Sequence, residues 1–276
     1  MSTDDVKNIL IFGQTGAGKS SLVNLIAQAD VADTSSDGSS CTLKSTSYSV
    51  TFDSCAFCIF DTVGLNEPHL SGTEYISAAE RACNLVNELK NAGGIHLLVF
   101  CMGEPRITQT VQQNYRLFYE FLCREEVSVA LVITHMENED PMDSWWDRNT
   151  KKFKEFGITP VGHACVATAR GLNERFVEQY EESKEKVRDL LKEHGTGKPF
   201  SMKRRSWIMR VLRFLAELVG ISPSYHTRRE VVDNLVRRCG ISKEEAEVLA
   251  TKAGFVEIEG KTFFQRWFPA SFMSSS

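Results

Sequence analysis

No stretch of this 276-residue chain reaches the run of about 18 uncharged apolar residues that a membrane-spanning helix needs. Its start, Met1-Ser2-Thr3-Asp4-Asp5, is polar and acidic and has no apolar core, so no secretory leader is expected. A basic surplus is missing as well. The formal net charge is −4, which removes the case for general nucleic-acid binding. The eight cysteines are scattered rather than spaced as a disulfide framework, and they read as reduced thiols in a cytosolic interior. One CxxC, Cys55 and Cys58, lies in the strand-like run 54–60, where residues three apart face opposite sides. No second CxxC or histidine pair follows at finger spacing, so the pair reads as packing rather than as a zinc or redox site. There is no internal repeat. With 42% hydrophobic and 25% charged residues, wholesale disorder is excluded too.

What is present begins near the amino end. Gly13-Gln14-Thr15-Gly16-Ala17-Gly18-Lys19-Ser20 is a complete phosphate-binding loop. The apolar run 8–12 before it suits a buried parallel strand, and 21–26 after it has helical spacing. Glycines let backbone N–H groups converge on phosphate oxygens, and the helix that follows adds its positive end. Lys19 would reach the β- and γ-phosphates, the Ser20 hydroxyl would ligate Mg²⁺, and Ser21 opens the helix beside them.

Apolar segments alternate with helical ones along the chain. Strands are expected at 46–52 and 55–60 as an antiparallel hairpin, then at 96–101, 127–133 and 163–166. Helices are expected at 74–90, 108–123, 145–156 and 172–194. The expected fold class is therefore α/β, a P-loop NTPase (G-domain) architecture with a mostly parallel central sheet and helices on both faces. A small, mostly helical C-terminal module completes it. Three segments are expected: 1–196, a linker or basic amphipathic helix 197–222, and 223–276.

Two further elements narrow the chemistry. The strand ending Cys58-Ile59-Phe60 runs into Asp61-Thr62-Val63-Gly64, an Asp-x-x-Gly that puts an aspartate beside Mg²⁺ and a glycine N–H at the γ-phosphate. Thr42, in the polar stretch between the first helix and the hairpin, is the expected switch ligand to Mg²⁺ and γ-phosphate, with Thr34 or Thr46 as substitutes. After the strand 127–133 stands Thr134-His135-Met136-Glu137, where Glu137 has the charge to accept from guanine N1–H and its amine, and His135 can lie against the base. The alternative is an acidic loop with no base contact. Ala167-Thr168-Ala169-Arg170 follows the last strand and offers backbone N–H groups to guanine O6.

Taken together, GQTGAGKSSLVNLI, SSCT, DTVGL and THME resemble the septin-related GTPases, a group that holds the immunity-associated GTPases (GIMAP family) and the chloroplast import receptors (Toc family). The resemblance covers about residues 6–194. It implies GTP/GDP as bound nucleotide with Mg²⁺ and a homodimer formed through the nucleotide faces, while the scattered cysteines set the expectation of a cytoplasmic location. Leu65 stands where small signalling GTPases carry a water-orienting glutamine, and leucine has no hydrogen-bonding group. The resemblance supplies a substitute, an arginine offered in trans from a Gly-Arg-x-Thr box. Glu104-Pro105-Arg106-Ile107-Thr108 is similar to that box, which makes Arg106 the candidate catalytic arginine beside Lys19 and Thr42, with Gln14 a lesser candidate. A plain surface role for Arg106 stays open.

Past Gly195 no motif is matched. Lys198, Lys203, Arg204, Arg205, Arg210 and Arg213 precede or line a broadly apolar helix over 207–219, with no acid before Glu217. Residues 198–219 suit either peripheral contact with an anionic membrane or packing in a protein interface. Helices at 227–238 and 242–252 and a hairpin at 255–264 have winged-helix proportions, which is analogy by fold alone. No nucleic-acid partner is expected. Two other readings remain: an ATPase or phosphotransferase, and a nucleotide-locked interaction module that scarcely hydrolyses.

Overall fold

The computed structural model describes residues 6–32, 46–62, 84–85, 87–103, 107–201, 242–252, 255–258 and 261–264, with positions 203, 206, 229, 232–233 and 236. Contacts group the chain into two compact units, Met1–Pro68 with Glu88–Met202, and His69–Asn87 with Lys203–Ser276.

The first unit is built on a six-stranded sheet. Its strands are β1 (Val6–Phe12), β2 (Thr46–Phe52), β3 (Cys55–Asp61), β4 (Leu97–Met102), β5 (Val129–Ile133) and β6 (Gly162–Cys165), and their spatial order is β2-β3-β1-β4-β5-β6. Only the β2–β3 pair is antiparallel, with Thr46 opposite Asp61 and Phe52 opposite Cys55. β1 pairs in parallel with β3 on one side and β4 on the other, Ile9 aligning with both Ile59 and Leu97. β4 and β5 are buried along their whole length. Uninterrupted apolar runs such as Leu97-Leu98-Val99-Phe100 form because helices cover both faces of a parallel sheet.

On one face α1 (Lys19–Ala27) packs Leu22, Leu25 and Ile26 with Ile9, Ile11, Val99 and Val132. Val187 and Leu191 of the long C-terminal helix of this unit join the same cluster. On the other face lies α2 (Gln109–Tyr115), which continues as a π-helical stretch, Arg116–Leu122. Phe118 there packs on Phe12 at 4.7 Å, and Phe12 stacks on Phe100 at 4.8 Å. The spacing predicts one regular helix over 108–123. The wider turns instead set Phe118 on Phe12 while Tyr119 stays against Tyr115 at 5.0 Å.

α3 is Ser144–Glu155 and α4 is Val177–His194. The helix expected from Leu172 therefore starts later. Leu172–Glu174 is a single 3₁₀ turn in which Asn173 has φ 53, a conformation that a right-handed helix cannot pass through. The Phe176 N–H donates to Arg170 O and closes that turn before α4 begins. In the second unit, α5 (Lys243–Lys252) is followed by a hairpin of β7 (Phe255–Ile258) and β8 (Lys261–Phe264), where the sequence places them. Among the described residues, no helix is long and apolar enough to cross a membrane.

Candidate nucleotide site

Because β1, β3, β4, β5 and β6 run parallel, their carboxyl ends open on one edge of the sheet. The order reverses direction at β1, between β3 and β4, and such a switch point is where open α/β sheets leave a crevice for a ligand. Gly13, Asp61, Gly103, Thr134 and the 166–169 segment all stand at those ends.

The loop from Gly13 to Ser20 leaves β1 with φ 153 at Gly13 and φ 79 at Gly16 and Gly18. A side chain at Gly13 is sterically excluded, because its Cβ would lie 2.0 Å from Cys101 O. Gln14, Thr15 and Gly16 arch over to α1, and the Ala17 N–H closes the arch by donating to Gln14 O at 3.1 Å. Lys19 is nearly buried, and its ammonium donates to Gly13 O and Gln14 O, each at 3.0 Å. It is held inside the loop by neutral carbonyls, which an anionic phosphate oxygen would outcompete as partner.

Ser20, at the start of α1, donates from Oγ to Asp61 Oδ2 at 3.3 Å, with Ser21 next in the helix. Asp61 is 1% exposed, and its Oδ1 has no hydrogen-bond partner. Burial raises its carboxyl above the usual carboxylate range, against the opposing pull of Lys19, the Ser20 hydroxyl and the Thr62 N–H. A buried carboxylate oxygen with no donor, beside a serine hydroxyl, fits a divalent cation such as Mg²⁺.

Several residues that hold this machinery escape a reading of the sequence. The Thr134 hydroxyl donates to Ala17 O at 2.9 Å, and the Cys101 thiol donates to the same oxygen at 3.0 Å. Burial pushes the Cys101 thiol up to about 12, so it stays a protonated donor. A Cβ at Gly103 would meet Ala17 Cα at 3.0 Å and His135 Cδ2 at 3.2 Å, so β4 leaves the sheet directly beneath the loop. Thr62 clamps β3 to β1 through its hydroxyl and Ile11 O at 3.0 Å. These are side chains reaching a main chain remote in sequence, which leaves no local spacing to detect.

On the far side, His135 is exposed at φ 62 and Glu137 is half-buried. The Met136 N–H donates to Val166 O at 3.1 Å, which ties the 134–137 loop to the start of the 167–170 loop. Glu139, two residues beyond Glu137, is already committed to Arg148 at 2.7 Å. Thr168 is half-buried and Ala169 exposed. The structure thus brings Gly13 to Ser21, Asp61, His135, Glu137, Thr168 and Ala169 to one edge. Thr42, Gly64, Leu65 and Arg106 lie outside the described residues, as does most of 198–219.

Residues 8–135 match the family model described as the 50S ribosome-binding GTPase. The chain has the α/β fold of a P-loop GTPase G domain. That G domain is similar to GTPase Der of Campylobacter fetus, 27% identical over 169 residues, or 61% of this chain and 33% of that one. The chain thus spans about a third of the length of this curated relative. Among solved structures, a dimerization-deficient mutant of Toc33 from Arabidopsis thaliana is 16% identical at a TM-score of 0.49, covering 72% of this chain and 88% of that one. A variant of Era from Aquifex aeolicus is 15% identical at a TM-score of 0.48, covering 80% and 69%. The matched stretch of the G domain ends at His135, so Glu137, Thr168 and Ala169 fall beyond it.

Proposed function

We propose that this chain is a Mg²⁺-dependent GTP-binding switch that hydrolyses GTP slowly and changes its self-association with the γ-phosphate. The observation that carries the metal and phosphate half is Asp61, a buried carboxylate with one orphaned oxygen beneath the lysine loop and beside Ser20. Ser20 and Asp61 would hold the cation, with Thr42 the expected third ligand. When bound it neutralises charge on the β- and γ-phosphate oxygens. Lys19 exchanges its two carbonyl partners for phosphate oxygens, and the backbone N–H groups of the loop close around them.

Glu137 accepts from guanine N1–H and the exocyclic amine, His135 lies against the base, and the Thr168 and Ala169 N–H groups face O6. Guanine selectivity is therefore a pairing of donors with acceptors that adenine reverses. Leu65 supports slow turnover, since it can neither orient nor polarise a water. Arg106 offered from a second copy supports a rate that rises with self-association. The finer family reading, the GIMAP/Toc-like septin-related branch, rests on the DTVGL and THME motifs. A cytoplasmic setting rests on the scattered cysteines, with the basic stretch 198–219 as the point of any membrane contact.

Competition of labelled GTP with unlabelled GTP and ATP tests the reading: saturable binding with guanine preference is expected, and absence of any saturable nucleotide signal would end it. A second reading, a nucleotide-locked interaction module, is favoured by Leu65 alone. It is distinguished by turnover that stays negligible at every protein concentration.

A further inference from the structure

The 167–170 loop is fastened to α4 at both ends. At its start, the Ala167 N–H donates to Ser183 Oγ at 2.8 Å, and Ser183 is fully buried. A serine hydroxyl has one proton. That proton goes one turn back along α4 to Gln179 O, at 2.5 Å, so the oxygen presents its lone pairs to Ala167. Met142 Sδ packs against the same oxygen at 3.8 Å and keeps water away. At the other end, Arg170 O accepts from the Phe176 N–H at 2.8 Å, while the Arg170 guanidinium lies over Tyr180 of α4 and pairs with Glu181. Only Thr168 and Ala169 are left between the two fastenings, projecting past the end of β6.

We infer that Ser183 is a positioning residue for guanine recognition: it fixes the Thr168–Ala169 backbone at the height where its N–H groups meet the carbonyl at position 6 of the base. The inference rests on the GTP-binding reading above and adds a residue 16 positions beyond Ala167, the loop residue it holds. The two fastenings differ in strength. Arg170 is half-exposed, so its ion pair is weak. The Ser183 bond is dry, and losing its oxygen strands a buried N–H, which drives the loop to move until Ala167 finds water.

The base loops divide the labour, and that makes the test specific. Glu137 reads the 1 and 2 positions of the purine, while Thr168 and Ala169 read position 6. Inosine triphosphate keeps the 6-carbonyl and lacks the 2-amine. The triphosphate of 2,6-diaminopurine riboside keeps the 2-amine but lacks both the carbonyl and the N1–H. For the full chain with Mg²⁺, equilibrium competition gives two ratios of affinity, GTP over the diaminopurine nucleotide and GTP over inosine triphosphate.

Ser183→Ala should cut the first ratio on the order of tenfold and leave the second within about twofold. Glu137→Ala should lower both ratios, because the diaminopurine nucleotide also lacks the N1–H that Glu137 accepts, so a loss confined to the first ratio is the mark of Ser183. Ser183→Cys, which keeps volume and a weak acceptor, should fall between wild type and Ser183→Ala, and it carries the test alone if the alanine variant does not fold. An unchanged first ratio in both serine variants would overturn the inference and leave the guanine reading standing. Equal collapse of both ratios would overturn it too, as general loosening. A wild-type chain with neither preference would overturn the guanine reading and this inference together.

Discussion

At Gly13 a single methyl group decides whether the loop can exist. Its Cβ would sit 2.0 Å from Cys101 O, and the colliding atom is backbone, which cannot step aside. Gly16 has the same need for positive φ, 79, but open space around it. Gly13→Ala should therefore destabilise by about 2–3 kcal/mol and lower the melting midpoint by several degrees. Gly16→Ala should cost about 1 kcal/mol, from backbone strain alone. Equal losses in a denaturant titration would refute the steric argument. Lys19→Ala should weaken nucleotide binding at least about a hundredfold, and an unchanged GTP affinity would end the assignment of the phosphate loop. The residues legible beforehand are those whose chemistry sits in consecutive positions, Gly13 to Ser20 and Asp61. Thr134, Cys101 and Ser183 were not legible as supports, because each acts on a carbonyl or amide far away along the chain.

Among the elements, the strands were legible almost to the residue, because runs such as 129–133 have no polar break and little else could be done with them. Helix ends were less so. No composition signal foretells that Arg116–Leu122 widens into π turns, where Phe118 packs on Phe12 of a strand remote in sequence. β6 shows how an element is held by its neighbours. Its Cys165 N–H donates to Asp143 Oδ1 at 3.2 Å, and Asp143 pairs with Lys186 of α4 at 2.8 Å.

Burial alone would raise the Asp143 carboxyl, but Lys186 and the Cys165 N–H outweigh it and hold it below the usual carboxylate range. A depressed carboxylate contributes stability above its unfolded value, about 3.9, and loses it as pH falls through the lower folded value. Its partner Lys186 is raised by the same contact, so that part of the stability is lost only in strong alkali. Asp143→Asn keeps an oxygen for Cys165 and removes the charge. It should flatten the fall of the melting midpoint between about pH 5 and pH 3, and an acid limb identical to wild type would show that the pair contributes nothing.

For the whole molecule, the open variable is how many copies act together. If the arginine of a second copy completes the site, turnover per chain should climb steeply with concentration over the range in which dimers form. Arg106→Ala should abolish that climb, lowering the stimulated rate by about a hundredfold or more while GTP affinity holds. Parallel loss of rate and affinity would mark the change as structural damage instead. Which chain segments cluster into the two units was not legible in sequence, because that is a matter of tertiary contact that no linker composition records. The C-terminal hairpin was, its two short apolar runs flanking Glu259-Gly260.

The edge where five parallel strands finish is assembled from segments at 13–20, 61, 103, 134–137 and 167–169, braced by Ser183. Biosynthesis delivers those pieces in order. The phosphate loop comes first, its supports Cys101 and Thr134 follow, and the brace on α4 comes last. On the proposed reading, the support for recognising position 6 of the base is therefore the last part of the site to be translated.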